Sequence, residues 1–341
     1  MADYTRAMRS PAPLSIALLD ALEDPALLVQ DEQTVGCNAA ARRLLGSGIV
    51  GRDVRLAVRQ PHALAAILTG RRADVEVAGI GSMDRCWDLQ VRPLDAGLLL
   101  VRLADRSATR AAEKMRVDFV ANASHELRTP LSTIIGYSET LADEAPLPDA
   151  LRQRFGKAIH DEARRMLRIV EDLMSLSRIE AERFIEPSER VSLAEIVRIA
   201  AENAAHLAQS RGCRIEMEIE ADLPEVIGDF AQLLQLADNL VANAVRYGCT
   251  AEGAEVTVRA VRERDAVLLS VADRGEGIAA VHLPRLTERF YRVDNARSRD
   301  SGGTGLGLAI VKHIVERHRG TLAILSKPGQ GTDVQVRLPL R

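Results

Sequence analysis

The chain has 341 residues, 47% of them hydrophobic and 27% charged, with a net charge of −3 at pH 7. That length exceeds one core and points to two or three domains, and the near-neutral balance excludes the bulk basic character of a nucleic-acid binder. No run approaches the roughly 18–20 apolar residues that cross a bilayer. No membrane span is therefore expected in this chain; a cytoplasmic location is, unless an upstream segment attaches the protein to a membrane. The four cysteines (Cys37, Cys86, Cys213 and Cys249) are scattered without a CxxC pair. They are expected as reduced thiols, not as a disulfide or zinc framework.

Residues 1–13 are polar, carry two prolines and are expected to be disordered. A short amphipathic helix is expected over 14–23. From residue 24 the pattern changes to short strands. Runs 25–30 and 34–37 flank the polar turn Asp31-Glu32-Gln33, as in a hairpin. Asn38 is placed to cap a small helix over 39–45 that Gly46 closes. Another short helix is expected over 62–68. Strands follow over 73–78, 85–91 and 97–103, where Val75/Val77 and Trp87/Leu89/Val91 alternate. This order, ended by Asp105-Arg106-Ser107 ahead of a helix, resembles the PAS sensory fold, and residues 14–105 are assigned to such a sensor domain. Two uses stay open for it, small-molecule sensing and dimerisation or partner binding. No cysteine–histidine arrangement marks flavin or haem.

Residues 107–141 read as one long helix. Ala108, Ala111, Ala112, Met115 and Phe119 form a seam, and Ala123, Leu127, Leu131, Ile134 and Leu141 continue an apolar face at helical spacing. At about 100° per residue, His125 projects almost opposite that face. Glu126 stands beside it, Thr129 lies one turn on, and Pro130 is set to bend the helix. A neutral imidazole is a good nucleophile near neutral pH, and Glu126 can hold its other ring N–H. Taken alone, the same residues are an ordinary exposed histidine on a bundle helix. A loop with two prolines, 143–148, leads to a second helix carrying Phe155, Ile159, Met166, Ile169, Leu173 and Leu176. A helical hairpin cannot bury both apolar faces alone, so two copies are expected to pair into a four-helix bundle, a homodimer. The hairpin is assigned to 106–180 and a polar linker with Pro187 to 181–190.

Residues 191–341 turn to an α+β pattern. Helices are expected over 192–209, 230–247 (capped by Asp229) and 306–318, and strands over 213–220, 255–262, 267–272, 322–326 and 333–338. Helices layered on one mixed sheet fit this order. Asn239 and Asn243 share a helix face, where an amide oxygen either coordinates a hard cation such as Mg2+ or lines a polar surface. Asp273-Arg274-Gly275-Glu276-Gly277-Ile278 follows a strand. A carboxylate there can accept a hydrogen bond from an exocyclic amine such as that of adenine, and the glycines let backbone approach a flat ring; an ordinary turn has the same residues. Gly302-Gly303-Thr304-Gly305-Leu306-Gly307-Leu308 opens a helix and presents N–H groups to phosphate. It is neither a P-loop nor a dinucleotide fingerprint. Gly329-Gln330-Gly331-Thr332 shapes a pocket floor, and Glu288-Arg289-Phe290-Tyr291-Arg292-Val293-Asp294 sits in a loop long enough to be a lid.

In this order His-Glu-x-x-Thr-Pro, Asn-Leu-x-x-Asn-Ala, Asp-x-Gly-x-Gly, Arg-Phe-Tyr-Arg, Gly-Thr-Gly-Leu-Gly-Leu and Gly-x-Gly-Thr resemble the bacterial sensor histidine kinases of two-component systems, over about residues 110–341. With the PAS-like front and the wording from Asp118 to His125, the chain is most similar to phosphate-regulon sensor kinases. The fold class implied is multidomain α+β. It comprises a PAS-like α/β sensor, a dimeric four-helix bundle and, over 191–341, an ATP-binding α/β sandwich of the Bergerat type shared with gyrase-type ATPases and heat-shock chaperones.

The activity implied is ATP-dependent autophosphorylation on His125, transfer to an aspartate of a cognate response regulator, and regulator phosphatase activity, with phosphate starvation as the input suggested. Glu126 would be base and orienter, Thr129 would hold water for dephosphorylation, and Arg292 would stabilise the transferring group. Asn243, supported by Asn239, would hold Mg2+. Asp273 would read adenine beside Gly275, Gly277, Ile278 and Thr332. Gly303, Thr304, Gly305, Leu306, Gly307 and Leu308 would line the rest of the ATP site. Arg246 stands where the family usually has lysine, followed by the usual Tyr247; Arg274 and Glu276 replace commoner small or apolar residues. Two other readings stay open. One is a kinase-inactive phosphatase or scaffold that binds ATP, against which the intact glycine stretches, Asn243 and Asp273 count. The other is a chaperone-like or gyrase-like ATPase, which needs no histidine helix.

Overall fold

The computed structural model describes residues 18–83, 85–143, 147–182, 185–249, 253–293 and 303–340. The terminus 1–13, the start of the helix expected over 14–23, part of the loop 143–148, Asp294 and Gly302 lie outside the described residues. Contacts divide the chain into two compact units, Met1–Val120 and Ala121–Arg341.

In the first unit β1 (Ala26–Gln30) and β2 (Gln33–Cys37) form the hairpin. The turn residues Asp31 and Glu32 have φ of 48° and 65°, the two positive values of a type I′ turn whose twist suits the strands. Gln33, expected in the turn, therefore opens β2. Asn38 caps α1 (Ala39–Leu45) by accepting the Ala41 N–H at 2.8 Å, and Gly46 closes the helix. α2 (Pro61–Leu68) begins on proline, whose missing N–H is no loss in a first turn. β3 (Ala73–Ala78), β4 (Cys86–Pro93) and β5 (Leu98–Asp105) complete an antiparallel sheet in the order β2-β1-β5-β4-β3. Leu27, Val29, Trp87, Leu89, Val91, Val101 and Leu103 pack with Ala41, Ala63 and Ile67 of the helices. The buried Trp87 indole donates to the Ile80 carbonyl at 2.9 Å, so its polar handle is satisfied. At the sheet's exit, hydrogen bonds from the Ser107 hydroxyl and N–H hold the Asp105 carboxyl below its usual range. The Cys86 N–H donates to Ser107 Oγ at 3.0 Å.

α3 (Ser107–Ala142) stays helical on both sides of Pro130. In the second unit α4 (Asp149–Ala181) returns beside it, with Tyr137 and Phe155 stacked at 5.0 Å. The segment expected as a linker is ordered at both ends, because α4 reaches Ala181 and β6 (Glu189–Val191) pairs with β8 (Val226–Gly228). Three helices then layer on a mixed five-stranded sheet. They are α5 (Leu193–Ser210), capped by Ser192, α6 (Phe230–Asn243), capped by Asp229, and α7 (Gly307–Arg317). The strands are β7 (Arg214–Ile219), β9 (Glu255–Arg262), β10 (Ala266–Asp273), β11 (Thr321–Ser326) and β12 (Thr332–Pro339), in the order β11-β12-β10-β9-β7. β7 runs parallel to β9 and the other pairs are antiparallel. The helix expected over 230–247 is α6 followed by a π-helical turn, Ala244–Gly248, a widening often found at functional sites. Among the described residues no helix is long and apolar enough to cross a membrane.

The cysteine expectation is corrected. Cys37 and Cys86 are free, but Cys213 and Cys249 are joined as a disulfide with Cα atoms 5.8 Å apart. Their separation of 36 residues hid this. The turn after α5 and the turn after α6 lead to neighbouring parallel strands, β7 and β9, and so meet.

Arg317, buried at the end of α7, pairs with Asp229 and Glu182, each at 3.2 Å. His318 is buried beside it. Its Nε2 accepts the Asp229 N–H at 3.0 Å, and its Nδ1 donates to the Ile314 carbonyl at 2.8 Å. Burial holds the His318 pKa below its usual value, so it folds neutral. As pH falls the unfolded imidazole is protonated first. The stability contributed by neutral His318 is therefore complete above about pH 6.5 and is lost progressively below it. The thermal midpoint of the second unit is expected to fall between about pH 7 and 5.5, and to fall less in His318→Gln. Equal acid sensitivity of the two proteins would contradict this.

Candidate functional site

Asp273 ends β10. Its Oδ1 accepts the N–H groups of Gly275 at 2.8 Å and Thr332 at 3.3 Å; among the described residues Oδ2 has no partner. Burial pushes this carboxyl up, against those two hydrogen bonds. The backbone of the π turn forms a wall behind it. A Cβ on Gly248 would collide with Asp273, and one on Gly275 would meet the Gly248 Cα at 2.7 Å. Gly331, at φ 80°, packs on the Asp273 carbonyl, and Gly277, at φ 67°, on the Lys327 carbonyl, approaches that only glycine permits. The Ile278 N–H donates to Ser326 Oγ at 2.8 Å, and that hydroxyl lies 2.9 Å from Thr332 Oγ1. Asp273, Gly275, Gly277, Ile278 and Thr332 thus share one knot.

A second cluster forms at the start of α7. A Cβ on Gly307 would lie 3.1 Å from Asn239 Oδ1 and 3.7 Å from Asn243 Nδ2, so both amides face this first turn. The N–H groups of a helix start favour anions there. Leu306 is buried beneath the turn and Leu308 is half-buried within it. Gly305, at φ 74°, passes the Phe290 backbone and accepts its N–H at 2.8 Å. The Tyr247 hydroxyl lies against Gly303. Arg246, on the π turn, is held below its usual pKa by burial.

On α3, His125 is exposed and its imidazole makes no hydrogen bond among the described residues. The Thr129 hydroxyl donates to the His125 carbonyl at 3.3 Å, one turn on along the same side. Glu126 is held differently from the expectation. Its carboxylate accepts from Arg165 at 3.1 Å and lies 3.7 Å from Arg292, rather than holding the imidazole. The two guanidinium side chains are only 8% and 6% exposed. Buried cations that need a counter-charge outcompete a neutral ring N–H for the carboxylate. Arg292 also reaches Gly303, its Nη2 3.7 Å from where a Cβ would stand. One guanidinium therefore links the histidine helix to the glycine-rich stretch.

Sequence reasoning missed Arg165 and Asp172. The Thr304 hydroxyl donates to Asp172 Oδ2 at 2.6 Å, and burial raises the pKa of that carboxyl. Arg289, from the lid-length loop, pairs with Glu180 of α4. A signal existed: Arg165 and Asp172 fall within the buried stripe of Ile169, Leu176 and Ile179, and charges in such a stripe need partners.

Residues 115–182 match the family described as "His Kinase A (phospho-acceptor) domain", and residues 228–341 that described as "Histidine kinase-, DNA gyrase B-, and HSP90-like ATPase". The chain is 42% identical over 235 residues to the phosphate regulon sensor protein PhoR of Pseudomonas aeruginosa, an alignment covering 69% of this chain and 52% of that protein. It thus spans about half the length of that relative. It is 32% identical over 341 residues to the sensor-like histidine kinase SenX3 of Mycolicibacterium smegmatis, covering 97% of this chain and 84% of the relative. In fold it is similar to the Acinetobacter baumannii histidine kinase AdeS (TM-score 0.52, 22% identity, 64% of this chain and 98% of that one). It is also similar in fold to histidine kinase ThkA, solved in complex with response regulator protein TrrA (TM-score 0.52, 16% identity, 95% and 98%). The phosphoacceptor hairpin followed by an ATPase domain, together with these relatives, shows that the chain belongs to the sensor histidine kinases of two-component systems.

Proposed function

We propose that this chain phosphorylates itself on His125 from ATP, passes the phosphoryl group to an aspartate of a cognate response regulator, and dephosphorylates that regulator. The observation that supports this best is Arg292, which lies against Glu126, next to His125, and against Gly303 of the glycine-rich stretch. The open Oδ2 of Asp273 accepts the adenine amine while glycine backbone contacts the ring. The N–H groups of 303–307 take the phosphates. The amide oxygens of Asn243 and Asn239 suit Mg2+, a hard cation that keeps waters and phosphate oxygens as its other ligands. Bound there, the cation neutralises phosphate charge. The neutral ring nitrogen of His125 attacks the γ-phosphorus as the bond to the ADP oxygen breaks. Arg292 then faces the transferred group, and Glu126, released from its arginines, takes the other ring N–H.

A homodimer belongs to this reading. α3 and α4 leave Leu131, Ile135, Leu167, Val170 and Met174 exposed, faces that a second hairpin covers in a four-helix bundle. Residues 14–105 serve as a PAS-like sensor, 106–180 as the hairpin and 191–341 as the ATP domain, in the cytoplasm. A phosphate-starvation input rests on the likeness to PhoR. The test is incubation with radiolabelled ATP followed by each response regulator of the host. Label is expected on the chain and then on one regulator; a labelled chain that no regulator discharges contradicts the proposal.

Asp273→Asn keeps an oxygen for the two backbone N–H groups but turns an NH2 toward the adenine amine, donor against donor. Losing this charged hydrogen bond costs about 2–3 kcal/mol, a roughly 30- to 150-fold weaker ATP affinity by titration. An unchanged Kd removes Asp273 from the adenine site.

Thr129→Ala is expected to slow dephosphorylation of the regulator and to leave autophosphorylation intact. The Thr129 hydroxyl gives its proton to the His125 carbonyl, so its lone pairs remain to hold a water. Measured side by side, loss of kinase activity with dephosphorylation retained would sink this assignment.

A further inference from the structure

The Cys213–Cys249 pair has no part in that reading. We propose that it is a reversible oxidation site that fastens the back wall of the nucleotide pocket, so that its reduction loosens nucleotide binding; the nucleotide half of this rests on Asp273 facing the ligand as proposed above. Cys249 directly follows Gly248, the residue whose backbone lies against the Asp273 side chain and supports Gly275. The segment leading to it, Ala244–Gly248, is π-helical and carries Arg246 and Tyr247. On the other side, Cys213 precedes β7, an edge strand of the sheet. Beside the disulfide, the Arg211 guanidinium donates to the Arg246 carbonyl at 2.8 Å. One covalent bond and one side-chain hydrogen bond thus tie the turn after α5 to the wall behind Asp273.

Accessibility divides the chemistry between the two sulfurs. Cys249 is 6% exposed, whereas Cys213 is partly exposed, so an oxidant from solvent reaches the Cys213 sulfur first. The oxidant class is a hydroperoxide. The Cys213 thiolate attacks one oxygen of hydrogen peroxide, the O–O bond breaks, and with one proton a water leaves and a sulfenic acid remains. The Cys249 thiolate attacks that sulfur, the S–O bond breaks, and a second proton carries the oxygen away as water. The two thiols lose two electrons and one peroxide gains them. A dithiol reverses the step by exchange and is itself oxidised to a disulfide. Where thiols are kept reduced, disulfides of this kind serve sensing rather than bulk stability.

The test uses the full chain treated with hydrogen peroxide or with dithiothreitol. Non-reducing peptide mapping is expected to find Cys213 bonded to Cys249 after peroxide and not after dithiothreitol. Amide hydrogen exchange over 244–249 and 273–275 is expected to be at least about threefold slower in the oxidised chain, with Cys213→Ser at the reduced rate under both treatments. Affinity for trinitrophenyl-ATP is expected to fall at least about threefold on reduction of the wild type and to be insensitive to treatment in Cys213→Ser. Failure of peroxide to form the bond, equal exchange in the two forms, or equal affinity in two forms that both bind overturns the proposal. If neither form binds the analogue while the exchange difference persists, the oxidation site stands and the nucleotide reading of Asp273 falls.

Discussion

Asn243→Ala is expected to lower the rate of His125 phosphorylation about a hundredfold or more at saturating ATP, a few kcal/mol of transition-state stabilisation. Asn243 is the last residue of α6, at the point where the helix widens into the π turn. Its amide faces Gly307 at the start of α7, the turn proposed above to take the phosphates. On the proposed reading, a cation held there would lose a protein ligand, and the charge developing on the phosphates would be less well neutralised. Asn243 is half-buried and its amide carries no internal hydrogen bond among the described residues, so the substitution leaves no orphaned polar partner, and folding is expected to be little changed. The check is autophosphorylation across a Mg2+ titration. The variant should require more Mg2+ and still fall short at saturation; a rate equal to wild type at limiting Mg2+ would remove Asn243 from the site.

Local rules made much of the chain legible. Asn38 and Asp229 cap the helices that follow them, each by accepting a backbone N–H. The alternation from Trp87 to Val91 became β4, and the periodic stripe around His125 became α3 with the imidazole exposed. Among the glycines needed for close approach, Gly275, Gly277, Gly305 and Gly331 lay within recognisable motifs and Gly248 did not.

What the sequence withheld is set by tertiary neighbours. β6 and β8 are three residues each and form by pairing with one another, too short to show an alternating pattern. The bond between Cys213 and Cys249 follows from the parallel pairing of β7 with β9, which no local spacing encodes. The same holds for Glu126. On the helix it is simply the neighbour of His125, and only the return of α4 with buried Arg165, and the arrival of Arg292, give its carboxylate other partners. Likewise Thr304, read as a phosphate contact, donates to Asp172 from a helix more than a hundred residues away in sequence.

That His125 accepts the phosphoryl group is tested most directly by locating the label. After incubation with radiolabelled ATP and Mg2+, trypsin releases His125 in the peptide 117–128, which holds no other histidine. Acid-labile, base-stable phosphate is predicted on that peptide alone. In His125→Gln, labelling should vanish while trinitrophenyl-ATP affinity stays within about twofold of wild type, since the exposed imidazole makes no hydrogen bond among the described residues. Phosphate on a different peptide, or labelling that persists in His125→Gln, would contradict the assignment of the acceptor.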